Sequence, residues 1–204
     1  MDPIPAVVLA AGGSSRMGRT KALLPMPGGK TALASVVEAC RGGGCSPLLV
    51  VAGADAEAVG AAARAAGATV VENGAWARGR STSVKAALPH LPPGAPALLL
   101  FPVDHPLVGA PVVAALLAAF RADPAAEAVL PVHGGRRGHP VLLAARLFPE
   151  IAALGDDEPL HSVVRRPGRR AVAVPVEGDA VLRNLDRPGD HAVPDPKPPD
   201  SGGP

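Results

Sequence analysis

The stretch Leu9-Ala-Ala-Gly-Gly-Ser-Ser-Arg-Met-Gly-Arg-Thr-Lys21 follows directly on the apolar run Ile4-Pro-Ala-Val-Val8. Glycines, two hydroxyls and three basic residues at the end of an apolar run have the chemistry to hold an anion. Gly12, Gly13 and Gly18 tolerate close approach, so backbone N–H groups can converge on a ligand. Ser14 and Ser15 add donors. Arg16 can grip two phosphate oxygens at once, and Lys21 supplies a movable point charge. The plain alternative is a basic turn on the surface.

The nearest known pattern is a phosphate loop. Gly13 to Thr20 reads G-x-x-x-x-G-R-T, one residue from G-x-x-x-x-G-K-[ST], and Ala97 to Asp104 could pass for its acidic strand. Such a loop hands its phosphate to a helix that starts inside the motif. Here Pro25, Pro27, Gly28 and Gly29 follow within a few residues and forbid a long helix. Arg19 also stands where the lysine belongs, and it reads as a solvated loop residue.

The elements that must position this loop repeat along the chain. Short apolar runs recur at Ile4–Leu9, Pro47–Ala52, Ala68–Val71, Ala97–Phe101 and Ala128–Val132. Alanine-rich segments with helical spacing separate them. Thr31 to about Arg41 reads as a helix stopped by Gly42-Gly43-Gly44, and Asp55 is placed to cap another that Gly67 ends. Near-continuous apolar strands alternating with helices predict a mostly parallel sheet covered on both faces. Ligands of such folds collect beyond the carboxyl ends of the strands, where the loops after Leu9 and Phe101 both lie. After Val132 the pattern changes to a turn, a short strand and a helix. Arg169 to Val176 reads as a further strand, and Asn184 to Asp190 as a turn before a short helix.

Composition narrows the function class. The 204 residues suit one domain with a full core, here expected over 1–190, with 191–204 a disordered tail. A net charge of +2, no Tyr and one Trp argue against a nucleic-acid partner. Trp76 reads as packing or a loop cover. No apolar run reaches the ~18 residues of a membrane span. The first apolar run has no positive residue before it, so a signal peptide is not expected. Cys40 and Cys45 make no metal motif and read as reduced thiols of a cytoplasmic protein.

Leu9 to Pro25 carries L-A-A-G-x-S-x-R-M-G-x-x-K-x-L-L-P, which resembles the signature of the MobA/MocA-like nucleotidyltransferases. Four further segments match in order. Gly79-Arg-Ser-Thr-Ser-Val84 resembles the family's G-x-x-x-S segment before a helix. Phe101-Pro-Val-Asp-His-Pro-Leu-Val108 resembles its metal-binding aspartate segment. Gly135-Arg-Arg-Gly-His-Pro-Val141 resembles the R-G-H-P segment of the molybdenum cofactor cytidylyltransferase branch. Asn184-Leu-Asp-Arg-Pro-Gly-Asp190 resembles the closing D-T-P-E-D segment, with Arg187 in place of Thr and Gly189 in place of an acidic residue.

The resemblance implies a three-layer, Rossmann-like α/β fold of the GT-A type. It implies transfer of a nucleotide from an NTP to a phosphorylated acceptor, with Mg²⁺ and release of pyrophosphate. The acceptor would be molybdopterin or molybdenum cofactor, and a molybdoenzyme or chaperone could receive the product. Ala11 places the chain with the CTP-using branch; the sister branch with Gly there uses GTP. A GTP-using molybdopterin guanylyltransferase, a nucleotidyltransferase for a sugar phosphate or other small phosphate, and a nucleotide- or cofactor-binding module without turnover are the competing readings.

The same resemblance distributes roles. Arg16 and Lys21 would neutralise charge on the α-phosphate and the departing pyrophosphate, acting with Asp104 in catalysis. Leu9, Ala10, Ala11, Gly12, Gly13, Ser14, Ser15, Met17 and Gly18 would line the nucleotide, with Asn73, Gly79, Ser81 and Ser83 nearby. Strand core, a turn residue at Asn73 and a helix cap at Ser81 or Ser83 are the plain alternatives. Asp104 would hold the metal, since Mg²⁺ is satisfied by one or two carboxylates plus phosphates and water. Asp186 is the candidate second ligand, an Asx-turn before Pro188 its alternative. Arg137, His139 and Pro140 would face the acceptor; Arg136 is the other basic residue there.

Overall fold

The apolar runs become strands, the inner four buried on both faces and the run at Ala68–Val71 only partly so. The computed structural model describes residues 2–13 and 20–185. The roles expected of Ser14, Ser15, Arg16, Met17, Gly18, Arg19 and Asp186, the turn beyond Leu185 and the tail 191–204 lie outside the described residues. The strands are β1 (Ala6–Ala10), β2 (Leu48–Ala52), β3 (Thr69–Glu72), β4 (Ala97–Pro102), β5 (Ala128–His133), β6 (Arg136–Arg137), β7 (Val141–Ala144) and β8 (Ala171–Pro175). They form one sheet in the order β3-β2-β1-β4-β7-β5-β6, with β8 on β5. β1 pairs in parallel with β2 and β4, as β2 does with β3 and β5 with β8.

Side chains alternate across this sheet and build two cores. Val8, Val50, Leu99 and Phe101 face one way, onto α1 (Ala32–Gly42), α2 (Ala56–Ala65) and α4 (Ala110–Ala122). Val7, Leu49, Val51, Leu98 and Leu100 face the other, onto α3 (Ser81–Ala87), α5 (Phe148–Ala152) and α6 (His161–Val164). Each fully buried Leu or Phe contributes about 1.5–3 kcal/mol, so the layers hold by apolar burial. The expected three-layer α/β fold with a mostly parallel sheet is therefore present.

Local expectations meet mixed outcomes. Thr31 caps α1, its hydroxyl accepting from Ala34 N at 3.1 Å. Asp55 stands at the N-cap of α2 but makes no capping bond; its carboxylate accepts from the Thr20 hydroxyl instead. A partner from the opening loop therefore displaces the local cap. The segment after Val132 holds two strands where one was expected. β6 returns antiparallel on the end of β5, and β7 then inserts antiparallel between β4 and β5.

That insertion sets the ligand side of the sheet. The chain order reverses at β1, which has β2 on one side and β4 on the other. A crevice at the carboxyl ends of two strands that lead away in opposite directions is the usual ligand position of open α/β sheets. Val103 N donates to Leu9 O at 3.1 Å, so the loop after β4 leaves beside the loop after β1.

Candidate active site

A cavity of about 820 Å³ opens at this switch point. Its wall takes Leu9, Ala10, Ala11 and Gly12 from the end of β1, Lys21 from the start of the next helical turn, and Asp104 from the end of β4. Ser81, Ser83, Arg137 and His139 complete the expected residues that line it. The structure thus brings together ten residues that the sequence scatters over 130 positions of the chain.

Asp104 is the electrostatic centre. Its side chain is 28% exposed, toward the cavity. Oδ1 is buried with no hydrogen-bond partner among the described residues. His105 Nε2 stands 3.7 Å away, beyond hydrogen-bonding range. A buried carboxylate oxygen without a donor is costly unless a cation meets it. That fits a divalent ion. Among the described residues no cluster of three or more His, Cys, Asp and Glu could hold one alone. Asp104 would therefore share such an ion with water and substrate phosphates, as Mg²⁺ prefers.

His139 is held by its backbone. Its N–H donates to Val181 O at 2.9 Å, and Gly138 N donates to Pro131 O at 2.8 Å. A Cβ on Gly138 would stand 2.4 Å from Val181 O, so only glycine allows the segment to pass so close. The His139 ring lies 4.8 Å from that of His105, tilted by 32°. It is open to the cavity yet surrounded by protein, and this desolvation pushes its pKa down to about 4. The neighbouring His105 acts in the same direction and Asp104 opposes it. His139 is thus neutral at pH 7, a hydrogen-bonding group and not a counter-charge.

Other expected residues stand behind the wall. Asn73 does not line the cavity. Its amide nitrogen donates to Thr82 Oγ1 at 2.9 Å and Ser83 Oγ at 3.0 Å, and its oxygen accepts from Ala75 N at 3.0 Å. It ties the end of β3 to the start of α3, an extension of the turn alternative. Gly79 also lies behind, at φ 150°, where a Cβ would stand 1.9 Å from Asp156 O. Gly13 packs beneath the Trp76 ring, and Pro140 is buried outside the lining. Ser81 donates to Glu158 O, a tertiary bond where a helix cap was the alternative. The carbonyls of Leu9 and Ala11 accept from Val103 N and Ala54 N, both at 3.1 Å.

The cavity also has walls that sequence reasoning missed: Trp76, Arg80, His105, His161, Arg165 and Asn184. Adjacency to Asp104 was the available signal for His105. For His161 and Arg165 none existed, because their one-turn helix is too short to show a period.

Comparison with known proteins agrees with this architecture. Residues 6–174 match the family described as the MobA-like NTP transferase domain. The nicotine blue oxidoreductase of Paenarthrobacter nicotinovorans is 34% identical over 157 residues, covering 74% of this chain and 75% of that protein. The molybdenum cofactor cytidylyltransferase of Escherichia coli K12 is 28% identical over 201 residues, covering 93% of this chain and 94% of that protein. A probable molybdenum cofactor guanylyltransferase of Mycobacterium tuberculosis H37Rv matches locally, 50% over 50 residues, which is 24% of this chain and 25% of that protein. The crystal structure of Rv0371c from the same organism superposes with a TM-score of 0.80 at 29% identity, covering 93% of this chain and 96% of that one. The same Rv0371c has also been crystallised in complex with manganese. With the motif residues gathered at the switch point and the family match running through most of the sheet, the chain belongs to the MobA-like NTP transferase family, a nucleotidyltransferase family.

Proposed function

We propose that this protein transfers CMP from CTP to the phosphate of molybdopterin or molybdenum cofactor and releases pyrophosphate, with Mg²⁺ as its divalent ion. One observation carries the reading: the donorless, buried Oδ1 of Asp104 shares a cavity with Lys21 and with the end of β1. An anionic acceptor needs no protein nucleophile. An acceptor phosphate oxygen attacks the α-phosphorus, a new P–O bond forms, and the α–β bridging P–O bond breaks toward pyrophosphate. Lys21, with Arg16 beside it in sequence, would offset the charge that gathers on these oxygens. The bound ion would supply Lewis-acid stabilisation of the same charge. The rest is positioning. The end of β1, with Ser81 and Ser83, holds the nucleotide; Arg137 and His139 serve the acceptor side, with Pro140 buried behind them.

CTP is our choice because Ala11 matches the cytidylyltransferase pattern and the Escherichia coli relative spans nearly the whole chain, where the guanylyltransferase match is local. Leu185 N donates to Asp104 O at 2.7 Å, which brings the segment leading to Asp186 against Asp104 and supports Asp186 as second ligand. We read residues 1–190 as the single catalytic domain. We place the reaction in the cytoplasm, where the free thiols of Cys40 and Cys45 stay reduced.

The test is pyrophosphate release from CTP, GTP, ATP and UTP with Mg²⁺, with and without molybdenum cofactor. Release is expected with CTP and cofactor together, and Asp104→Asn should lower it by about 100-fold or more. Undiminished Mg²⁺-dependent turnover in Asp104→Asn would overturn the reading.

The Paenarthrobacter relative motivates a second reading, in which the cavity serves a redox reaction. It expects oxidation or reduction of an organic substrate and no pyrophosphate from any NTP. The donorless Asp104 oxygen favours the first reading, because a divalent ion held there together with Lys21 suits the phosphates of an NTP.

A further inference from the structure

The cavity is elongated across the sheet. Its floor takes Leu9 of β1, Leu100 of β4, Val141 of β7 and Leu130 of β5. These strands are successive neighbours in the sheet. At about 4.8 Å per strand, the floor runs roughly 14 Å. Asp104, which follows β4, divides it into an end over β1 and an end over β7 and β5.

The far end is walled by α6. His161 and Arg165 are four residues apart and both face the cavity, as i and i+4 positions on one helical face do. Arg137 of β6 faces the same space. No carboxylate pairs with any of the three among the described residues. The contrast with their neighbours is sharp. Arg166 pairs with Glu150 at 3.0 Å, and Arg170 with Asp123 at 2.8 Å. Arg169, its side chain only 10% exposed, bridges Glu127 at 2.6 Å and Glu150 at 2.7 Å. Its Nε also donates to Val163 O at 3.0 Å, inside α6 itself. Three arginines therefore fasten the segment to the body, and the fourth lines the cavity with no carboxylate partner among the described residues.

We propose that Arg165, His161 and Arg137 form an anion subsite that takes the phosphate-bearing acceptor, leaving the nucleotide to the β1 end. This rests on the transferase reading above. Two polyanions must be brought together at Asp104, so the acceptor needs cations of its own. A guanidinium on a fastened helix meets a phosphate monoester bidentately at little ordering cost.

The experiment compares the wild-type full chain with Arg165→Ala, Arg165→Lys and Arg166→Ala. Acceptor KM is read from pyrophosphate release with CTP, and nucleotide Kd from quenching of Trp76, the single tryptophan. Arg165→Ala should raise the KM for molybdenum cofactor about tenfold, the loss of a charge-assisted bond at a partly wet site. Nucleotide Kd should stay within about twofold, Arg165→Lys should recover part of the loss, and Arg166→Ala, which leaves the buried Arg169 clamp and the Arg170 pair in place, should match wild type. An unchanged acceptor KM, or an equal weakening of nucleotide binding, overturns the proposal. Retention of molybdenum cofactor in equilibrium dialysis without nucleotide separates the two levels. Retention by wild type and not by Arg165→Ala upholds the subsite even where no pyrophosphate is released. No retention by wild type overturns the subsite together with the acceptor.

Discussion

Residues that touch no substrate are as constrained here as those that do. Gly79 is the sharpest case. At φ 150° and with Asp156 O 1.9 Å from any added Cβ, alanine forces the backbone apart just before Arg80 and Ser81. Gly79→Ala should cost about 2 kcal/mol, a fall in Tm of roughly 4–8 °C, measured by thermal denaturation. An unchanged Tm would show that the 154–158 loop gives way freely. Asn73 makes the related point about legibility. Its type and place after an apolar strand suit either a ligand contact or a turn, and only the fold reveals that three hydrogen bonds engage it internally. Asp104 was legible because a carboxylate ending a buried strand has few structural uses. Lys21 was legible because the proline and glycine pair behind it excluded a phosphate-loop helix.

Elements differ in how far local signals carry. β1, β2, β4 and α1 were readable from apolar runs and from Thr31, since each is stabilised by burial that its own pattern announces. β7 was expected only as a short strand. Its antiparallel place between β4 and β5 depends on register with Leu142 and Leu143, which no local spacing encodes. α6 was invisible, because a single turn has no measurable period. What makes α6 an element is the Arg169 clamp. Arg169→Ala should destabilise the fold by about 3 kcal/mol, the low end for breaking a buried pair, because Arg166 still reaches Glu150. Urea denaturation would measure it. The same variant should weaken the acceptor more than the nucleotide; equal affinities for both would mean that the clamp does not position α6.

At the scale of the whole molecule, the two-faced core sets the chemistry of its thiols. Cys40 and Cys45 are free and buried. Burial pushes the Cys45 thiol from 9.0 up to about 12, slightly opposed by Arg121. Cys40 is raised well above the usual range by burial and by Cys45. Neither should react with iodoacetamide in the native protein, and both should react in denaturant, as counted by mass spectrometry. The linkage follows in sign. Above pH 9 the unfolded chain releases thiol protons that the folded chain retains, so this stability is complete below pH 9 and is lost as the pH rises toward about 12. Cys45→Ala should flatten that decline in urea midpoints taken at pH 8 and 10.5; an equal decline would assign it to other groups. The overall architecture was legible because alternating strands and helices admit few arrangements, whereas the cavity wall built from β6, β7 and α6 was legible only at Arg137 and His139, because no local spacing brings His161 and Arg165 to it. The central claim is transfer of an α-phosphorus at Asp104. It is tested most directly by incubating the protein and Mg²⁺ with molybdenum cofactor and CTP labelled at the α-phosphate. The account predicts label on the cofactor and none in pyrophosphate, and loss of transfer in Asp104→Asn. Label that stays in CTP, or that moves equally well in Asp104→Asn, would contradict it.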